Sequence, residues 1–148
     1  MTISILGFAL PGRKKQAKVV AQKTLEFLGQ PTLELSVKFV GAKEICRLNK
    51  QFRGIDKSTD VLSFPATNAK IGEILPENEY LGDMAICMSV AKQNAKKYNN
   101  SVKRELSKLV SHSILHMLGY DHIEDKDYLV MQQKENEIEK YLENNNVI

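Results

Sequence analysis

All three histidines of the chain lie within one short string, at positions 112, 116 and 122. Side chains at positions i and i+4 project from the same face of an α-helix, one turn apart, so a helix here places His116 directly above His112. Gly119 then allows the helix to end and the chain to turn, because glycine adopts left-handed backbone conformations at little cost. His122 follows this turn. The string therefore favours a fold in which one helix and its terminal turn direct three imidazoles to a common point.

Three neutral imidazoles form a suitable ligand set for Zn²⁺, with Zn–N distances of about 2.0–2.1 Å. Three protein ligands leave one coordination position open to solvent, and this is the arrangement of catalytic zinc sites. We therefore predict one Zn²⁺ per chain on His112, His116 and His122, with another divalent transition metal as the alternative, and we assign His112 to the catalytic group. The competing interpretation is three packed or solvated histidines, but unrelated histidines rarely share this spacing with a glycine between the second and the third.

Two residues next to the histidines limit the chemistry. Metalloproteases with this spacing carry a glutamate general base directly after the first histidine, whereas this chain has Ser113. A serine hydroxyl is not a base near neutral pH, so a peptidase is disfavoured, and Ser113 is expected to support the site from a tightly packed position. Asp121 precedes the third histidine; it either orients an imidazole or bonds its own backbone in a turn.

The chain has 148 residues, of which 43% are hydrophobic, which fits a single compact domain over 1–148. Because of the metal site, we expect this domain to be a metal-dependent hydrolase. No segment approaches the ~18 consecutive apolar residues of a membrane span. The N-terminal residues have the pattern of a strand rather than a signal peptide, so we expect a cytoplasmic protein without a membrane partner. Cys46 and Cys87 are predicted to be reduced core cysteines, and the alternative is that one of them supplies a fourth metal ligand.

The net charge of +3 is unevenly distributed along the chain. Residues 1–110 contain 18 Lys+Arg against 10 Asp+Glu, whereas residues 111–148 contain 3 against 8. The basic part of the chain is suited to binding polyanions. An ordinary lysine-rich surface is the alternative interpretation.

Hydrophobic periodicity predicts four strands and five helices. The strands are predicted at 3–8, 33–39, 61–64 and 81–88, and the helices at 14–28, 41–53, 89–98, 102–118 and 128–142. Ser89 is the expected N-cap of the third helix, and residues 144–148 are expected to fray. The helix that carries the histidines is apolar over most of its surface, so it is expected at the centre of the molecule.

A second cluster lies near the middle of the chain, where Asn49 and Arg53 share one face of a predicted helix. Arginine is well suited to bind a phosphate because its planar guanidinium offers paired donors and a permanent charge. Considered alone, the pair more commonly marks a capped helix end with a solvated arginine.

Together, the two clusters resemble the YbeY family of bacterial rRNA maturation factors. The resemblance rests on 48–53 with the run Thr-Asp-Val-Leu-Ser-Phe-Pro at 59–65, on Leu-Gly-Asp-Met-Ala-Ile at 81–86, and on 112–125. Length and order also agree over essentially the whole chain. One departure is Ser113, where the family usually has glycine.

The resemblance implies an α+β fold with a four-stranded mixed sheet, about five helices and a zincin-like helix that bears the metal. It implies a zinc-dependent, single-strand-specific endoribonuclease acting in 16S rRNA 3′-end maturation and ribosome quality control. Arg53 would act across a cleft from the metal, with Asn49 also binding substrate, and the partners would be rRNA and the ribosome or small-subunit proteins. The alternative is a non-catalytic ribosome assembly factor with a structural metal.

Overall fold

Four strands and five helices are present in the computed structural model, which describes residues 3–121 and 124–148. The strands are β1 (Ile3–Gly7), β2 (Glu34–Phe39), β3 (Val61–Pro65) and β4 (Tyr80–Ile86). The helices are α1 (Pro11–Phe27), α2 (Ala42–Arg53), α3 (Met88–Lys97), α4 (Val102–Met117) and α5 (Asp125–Asn144). Every predicted element is confirmed in kind and in order.

The strands form one mixed sheet in the order β1-β2-β4-β3. β1, β2 and β4 are parallel, and β3 is antiparallel to β4. This arrangement confirms the predicted α+β class and the four-stranded mixed sheet. It also makes β3 an edge strand, and the candidate site lies along that edge.

The free edge of β3 exposes the backbone groups of alternate residues. The Asp60 carbonyl accepts a hydrogen bond from the Cys87 N–H at 2.9 Å, and the register of β3 on β4 continues from there without a bulge. In an antiparallel pair, every second residue directs both its N–H and its C=O to the partner strand. Asp60 and each second residue after it therefore face β4, whereas Val61 and Ser63 direct their backbone groups to the free edge.

The histidine-bearing helix α4 lies at the centre, as its composition predicted. Leu106, Ile114 and Leu115 are fully buried in the core that α4 shares with the sheet. At Gly82, which has a φ of +148°, an added Cβ would lie 2.8 Å from the Met117 sulfur and 2.4 Å from the Phe64 carbonyl oxygen. The close approach of α4 to the sheet therefore requires glycine at this position.

The predicted starts of α1 and α3 are wrong. α1 begins at Pro11 rather than at residue 14, because proline is favoured in the first turn, where a backbone N–H has no helical partner. The N-cap of α3 is Cys87 and its first residue is Met88, so the assignment of Ser89 as N-cap is incorrect. In both cases the helix begins earlier than the sequence pattern indicated.

The C-terminal segment is also different from the prediction, because it does not fray. Asn146 adopts a φ of +59°, and the Val147 N–H donates to the Leu142 carbonyl at 2.9 Å. This turn directs Val147 into the core, where it is only 8% exposed. Among the described residues, none of the helices is both long and apolar enough to cross a membrane.

Candidate functional site

His112 and His116 meet edge to face near the end of α4. Their ring centroids are 4.5 Å apart, and the two Nε2 atoms are separated by 3.0 Å. Both side chains are half-buried, so the rings are held by packing while one side of the pair remains accessible.

The other nitrogen of each ring is held by an oxygen. His116 Nδ1–H donates to the Tyr120 carbonyl at 3.0 Å, and His112 Nδ1–H donates to Glu135 Oε2 at 3.3 Å. A carbonyl and an ionised carboxylate only accept hydrogen bonds, so these partners assign the hydrogen of each neutral ring to Nδ1. The two Nε2 lone pairs then face one another at 3.0 Å, and such an arrangement is stable only with a cation or a proton between them.

This geometry fits a metal ion. Two nitrogen ligands of a tetrahedral Zn²⁺ at ~2.0–2.1 Å lie roughly 3.3–3.4 Å apart, slightly farther than the 3.0 Å observed here. A hydrogen bond from Nδ1 to a carboxylate or a backbone carbonyl is the usual support of a metal-ligating histidine. The predicted third ligand, His122, lies outside the described residues, and within residues 3–121 and 124–148 no group of three or more potential ligands is assembled.

The turn after α4 holds the second histidine in place. The Gly119 N–H donates to the His116 carbonyl at 3.1 Å, and the Tyr120 N–H donates to the Leu115 carbonyl at 3.0 Å. These are the two hydrogen bonds of a Schellman motif, with Gly119 in the left-handed region at a φ of +99°. As a result, the Tyr120 carbonyl is brought back to the His116 ring.

Arg53, the last residue of α2, lies at the free edge of β3. Its Nη2 donates to the Ser63 carbonyl at 2.6 Å and its Nη1 to the Phe52 carbonyl at 3.3 Å. The guanidinium also lies over the Phe64 ring, 5.5 Å from the centroid. A guanidinium has five N–H donors, so these two hydrogen bonds fix its position and leave three donors for a ligand.

A cleft of about 430 Å³ joins the arginine to the histidines. Its lining residues are Arg53, Asp60, Val61, Leu62, Ser63, Pro65, His112 and His116. The structure therefore brings together, on one surface, the guanidinium and two of the three histidines that the sequence singled out.

The remaining predicted residues lie around this cleft. Ser113 is fully buried, and its hydroxyl lies 2.6 Å from the Ser63 hydroxyl, which joins α4 to the strand that holds Arg53. Asn49 is 6% exposed and does not line the cleft; its amide donates to the Lys57 carbonyl at 2.9 Å and so holds the loop after Arg53. Asp121 is half-buried directly after Tyr120.

Neither cysteine contacts the histidines in the part of the chain that the structure describes. The Cys46 thiol contacts Asp56 at 3.5 Å, and partial burial together with that carboxylate raises its pKa, which disfavours the thiolate form that binds metals. Cys87 is buried, and its sulfur lies 3.2 Å from the Ser89 hydroxyl. Both thiols are free, but only Cys87 is a core residue; Cys46 is half-buried, so the prediction of two core cysteines is wrong for Cys46.

Glu135 is the site residue that sequence reasoning missed. It lies on α5, which the sequence predicts only as the last helix, with no site residue on it. The only available signal was its position on a helix that follows the histidine string closely. The contact with His112 depends on how α5 packs against α4, and no local pattern encodes that packing.

Comparison with known proteins decides the family. The sequence pattern described as Endoribonuclease YbeY matches residues 10–143. The chain belongs to the YbeY endoribonuclease family. Among curated YbeY proteins, that of Finegoldia magna is 43% identical over 75% of this chain and 70% of its own length. That of Caldicellulosiruptor saccharolyticus is 44% identical over 74% of this chain and 73% of its own length.

A solved structure agrees with this YbeY assignment. The solution structure of TM1509 from Thermotoga maritima superimposes with a TM-score of 0.67 at 32% identity, and covers 95% of this chain and 89% of that protein. The resemblance noted from the sequence is thus confirmed for the family and for the fold. Membership of the YbeY family supports an endoribonuclease activity.

Proposed function

We propose that this chain is a metal-dependent endoribonuclease that cleaves single-stranded RNA during maturation of the 16S rRNA 3′ end and in ribosome quality control. The observation that carries the proposal is the single cleft in which the Arg53 guanidinium and the facing His112 and His116 Nε2 atoms are exposed together. Phosphoryl transfer depends mainly on positioning and on stabilisation of negative charge, and these groups provide both.

His112, His116 and His122 would hold the metal. A Zn²⁺ ion bound there supplies Lewis acid chemistry, lowering the pKa of water and polarising a phosphoryl oxygen. Glu135 and the Tyr120 carbonyl fix the orientation of the imidazoles, so the ligating nitrogens are arranged before the metal binds. The expected partners are rRNA and, for delivery to the correct site, the ribosome or its small-subunit proteins.

Arg53 would bind the scissile phosphate. The Ser63 carbonyl and the Phe64 ring hold its guanidinium at the edge of β3, so little side-chain freedom is lost when a phosphate binds. Its remaining N–H donors stabilise the charge that develops on the phosphoryl oxygens. Residue 113, where metalloproteases of this spacing carry the glutamate base, is a serine that is buried and joined to Ser63, which argues against peptidase chemistry.

The decisive experiment is RNA cleavage by untagged, nuclease-free protein loaded with Zn²⁺. Arg53→Ala is expected to lower kcat by about 10² or more, as is typical when a donor to developing charge is removed. His112→Ala is expected to abolish metal-dependent cleavage. Arg47→Ala is the matched control, because Arg47 lies on the same helix but pairs with Glu44 outside the cleft; its activity should equal that of the wild type.

The same experiment tests the alternative of a non-catalytic assembly factor. If the wild type and all three variants show equal residual cleavage, the chain has no catalytic site at this cleft. The metal would then be structural, and the role in ribosome assembly would be the one that remains.

A further inference from the structure

The cleft continues past the histidines. A second cavity of about 230 Å³ adjoins it and shares Asp60, Val61 and His112 as lining residues. The second cavity also reaches Lys108 and Glu135. Together the two cavities form a groove along the free edge of β3, which we call the edge groove, with His112 near its middle.

A cation lies near each end of the edge groove. Arg53 lines one cavity and Lys108 lines the other. Lys108, His112 and His116 are spaced at i, i+4 and i+8, so they share one face of α4, with Lys108 about 6 Å along the helix axis from His112. A ligand that lies against the two histidines and extends in both directions along the groove therefore meets a positive charge on either side.

The Lys108 ammonium is available to such a ligand. Its side chain is exposed and forms no ion pair with any residue in 3–121 or 124–148. Arg104, one turn earlier on the same helix, instead pairs with Glu139 and Glu143 of α5. The two basic side chains thus differ in their partners, and Lys108 is the one that lines the groove.

The wall between the two cations also favours an anion. The N–H groups of Val61 and Ser63 face the free edge of β3, while Arg53 already occupies the Ser63 carbonyl. Asp60 lines both cavities, and its carboxylate already accepts a hydrogen bond from Asn94 at 3.1 Å. The free backbone groups along this strand edge are therefore mainly donors, which suits phosphate oxygens better than a peptide strand, because a strand also requires free carbonyl acceptors.

We propose that Lys108 binds the phosphate next to the scissile one, so that the edge groove holds at least two consecutive phosphates of a single-stranded RNA. The proposal rests on the function proposed above and deepens it. It makes Lys108 a substrate-positioning residue on the side of the histidines opposite Arg53. It also predicts that productive binding requires charge on both the scissile phosphate and one neighbour.

Binding of a short fluorescent single-stranded RNA to chelator-treated protein, measured over a range of salt concentrations, tests the contact without turnover. Loss of one phosphate contact on a single strand lowers the salt slope by about 0.7, which corresponds to roughly fivefold weaker binding at 0.1 M salt. Lys108→Gln should show this change, and Lys108→Arg should not. Lys103→Gln is the matched control, since Lys103 is an exposed lysine on another face of α4 that lies outside the edge groove.

A second measurement locates the phosphate. Two RNAs are prepared, each with an uncharged methylphosphonate in place of one neighbour of the scissile phosphate. With zinc-loaded protein, Lys108→Gln should have a lower kcat/KM than the wild type on unmodified RNA. On one of the two substituted RNAs, this difference between the variant and the wild type should disappear. If the loss persists on both substituted RNAs, or if Lys103→Gln has the same salt slope as Lys108→Gln, the proposal is overturned. It is also overturned if Lys108→Gln binds polyglutamate more weakly than the wild type does but binds RNA as tightly.

The two hypotheses fail in different ways. If the wild type cleaves RNA but Lys108→Gln leaves the salt slope unchanged, the proposed function stands and the Lys108 contact is excluded. If the wild type binds RNA through Lys108 but shows no metal-dependent cleavage, the nuclease activity is excluded and the binding of RNA in the edge groove stands. Absence of RNA binding by the wild type excludes both.

Discussion

Glu135 reaches His112 from a different helix, and its carboxylate decides which nitrogen of the ring is available to a metal. Replacing it by leucine removes the acceptor for Nδ1–H, so the ring loses both its fixed orientation and part of its basicity. We expect Glu135→Leu to lower the affinity for Zn²⁺ by about 10- to 100-fold. Competition with a chromogenic chelator measures this affinity directly.

Glu135→Gln separates orientation from simple packing. Its amide oxygen still accepts from Nδ1–H, so this variant should retain most of the wild-type affinity for zinc. Glu137→Leu is the control on the same helix, because Glu137 pairs with Lys134 instead of a histidine. Equal affinities in the wild type and Glu135→Leu, or equal losses in Glu135→Leu and Glu137→Leu, would contradict this role for Glu135.

At the scale of an element, the C-terminal turn of α4 holds the site in place. An added Cβ at Gly119 would lie 2.4 Å from the Ala69 carbonyl oxygen, and a non-glycine residue in the left-handed region costs about 1–2 kcal/mol. Gly119→Ala should therefore lower the free energy of unfolding by at least that amount and weaken zinc binding, because the Tyr120 carbonyl moves. Urea unfolding of the metal-free protein measures the first effect, and chelator competition measures the second.

Gly12 provides the control for this prediction. It lies in the first turn of α1, and an added Cβ there would meet no atom within 4 Å. Gly12→Ala should be neutral or slightly stabilising, because alanine is the better helix former. If Gly119→Ala unfolds at the same urea concentration as Gly12→Ala, the turn does not have the strain that its geometry indicates.

How far the sequence predicts each element depends on how local its causes are. The extent of α4 was predicted to within one residue, because a periodic apolar surface and a glycine-terminated turn are both encoded within the helix itself. The start of α5 was placed three residues late, at 128 instead of Asp125, because its first turn is acidic and contributes no apolar signal. The local sequence predicts that residues 144–148 fray. It does not reveal that Val147 is buried, because this burial depends on contacts with distant parts of the core.

The same distinction applies to the site. The spacing of His112 and His116 was sufficient to predict facing imidazoles, since both lie on one helix. The position of Arg53 relative to them, and the contact of Ser113 with Ser63, depend on how β3 packs between α2 and α4, which only the assembled sheet determines. Asn49 shares a helix face with Arg53 in the sequence, yet packing directs its amide into the loop at Lys57 rather than to the cleft.

At the scale of the whole molecule, metal binding should be measurable as stability. A ligand that binds only the folded state stabilises it by about 2.7 kcal/mol at a free concentration one hundred times its Kd. For a chain of this size, each kcal/mol raises Tm by roughly 2–4 °C. Saturating Zn²⁺ is therefore expected to raise the Tm of the wild type by about 5–10 °C, and chelation should reverse this rise.

The Tm shift also identifies where the metal acts. His112→Ala removes a ligand, so its Tm should be independent of zinc. Arg53→Ala should retain the full shift, because the hydrogen bonds of Arg53 go to the Ser63 and Phe52 carbonyls and not to His112 or His116. Arg53→Ala thus separates metal binding from catalysis: it should bind zinc normally and cleave RNA poorly. A zinc-dependent Tm in His112→Ala would show that the ion binds elsewhere, and the facing Nε2 atoms would then be explained by a shared proton.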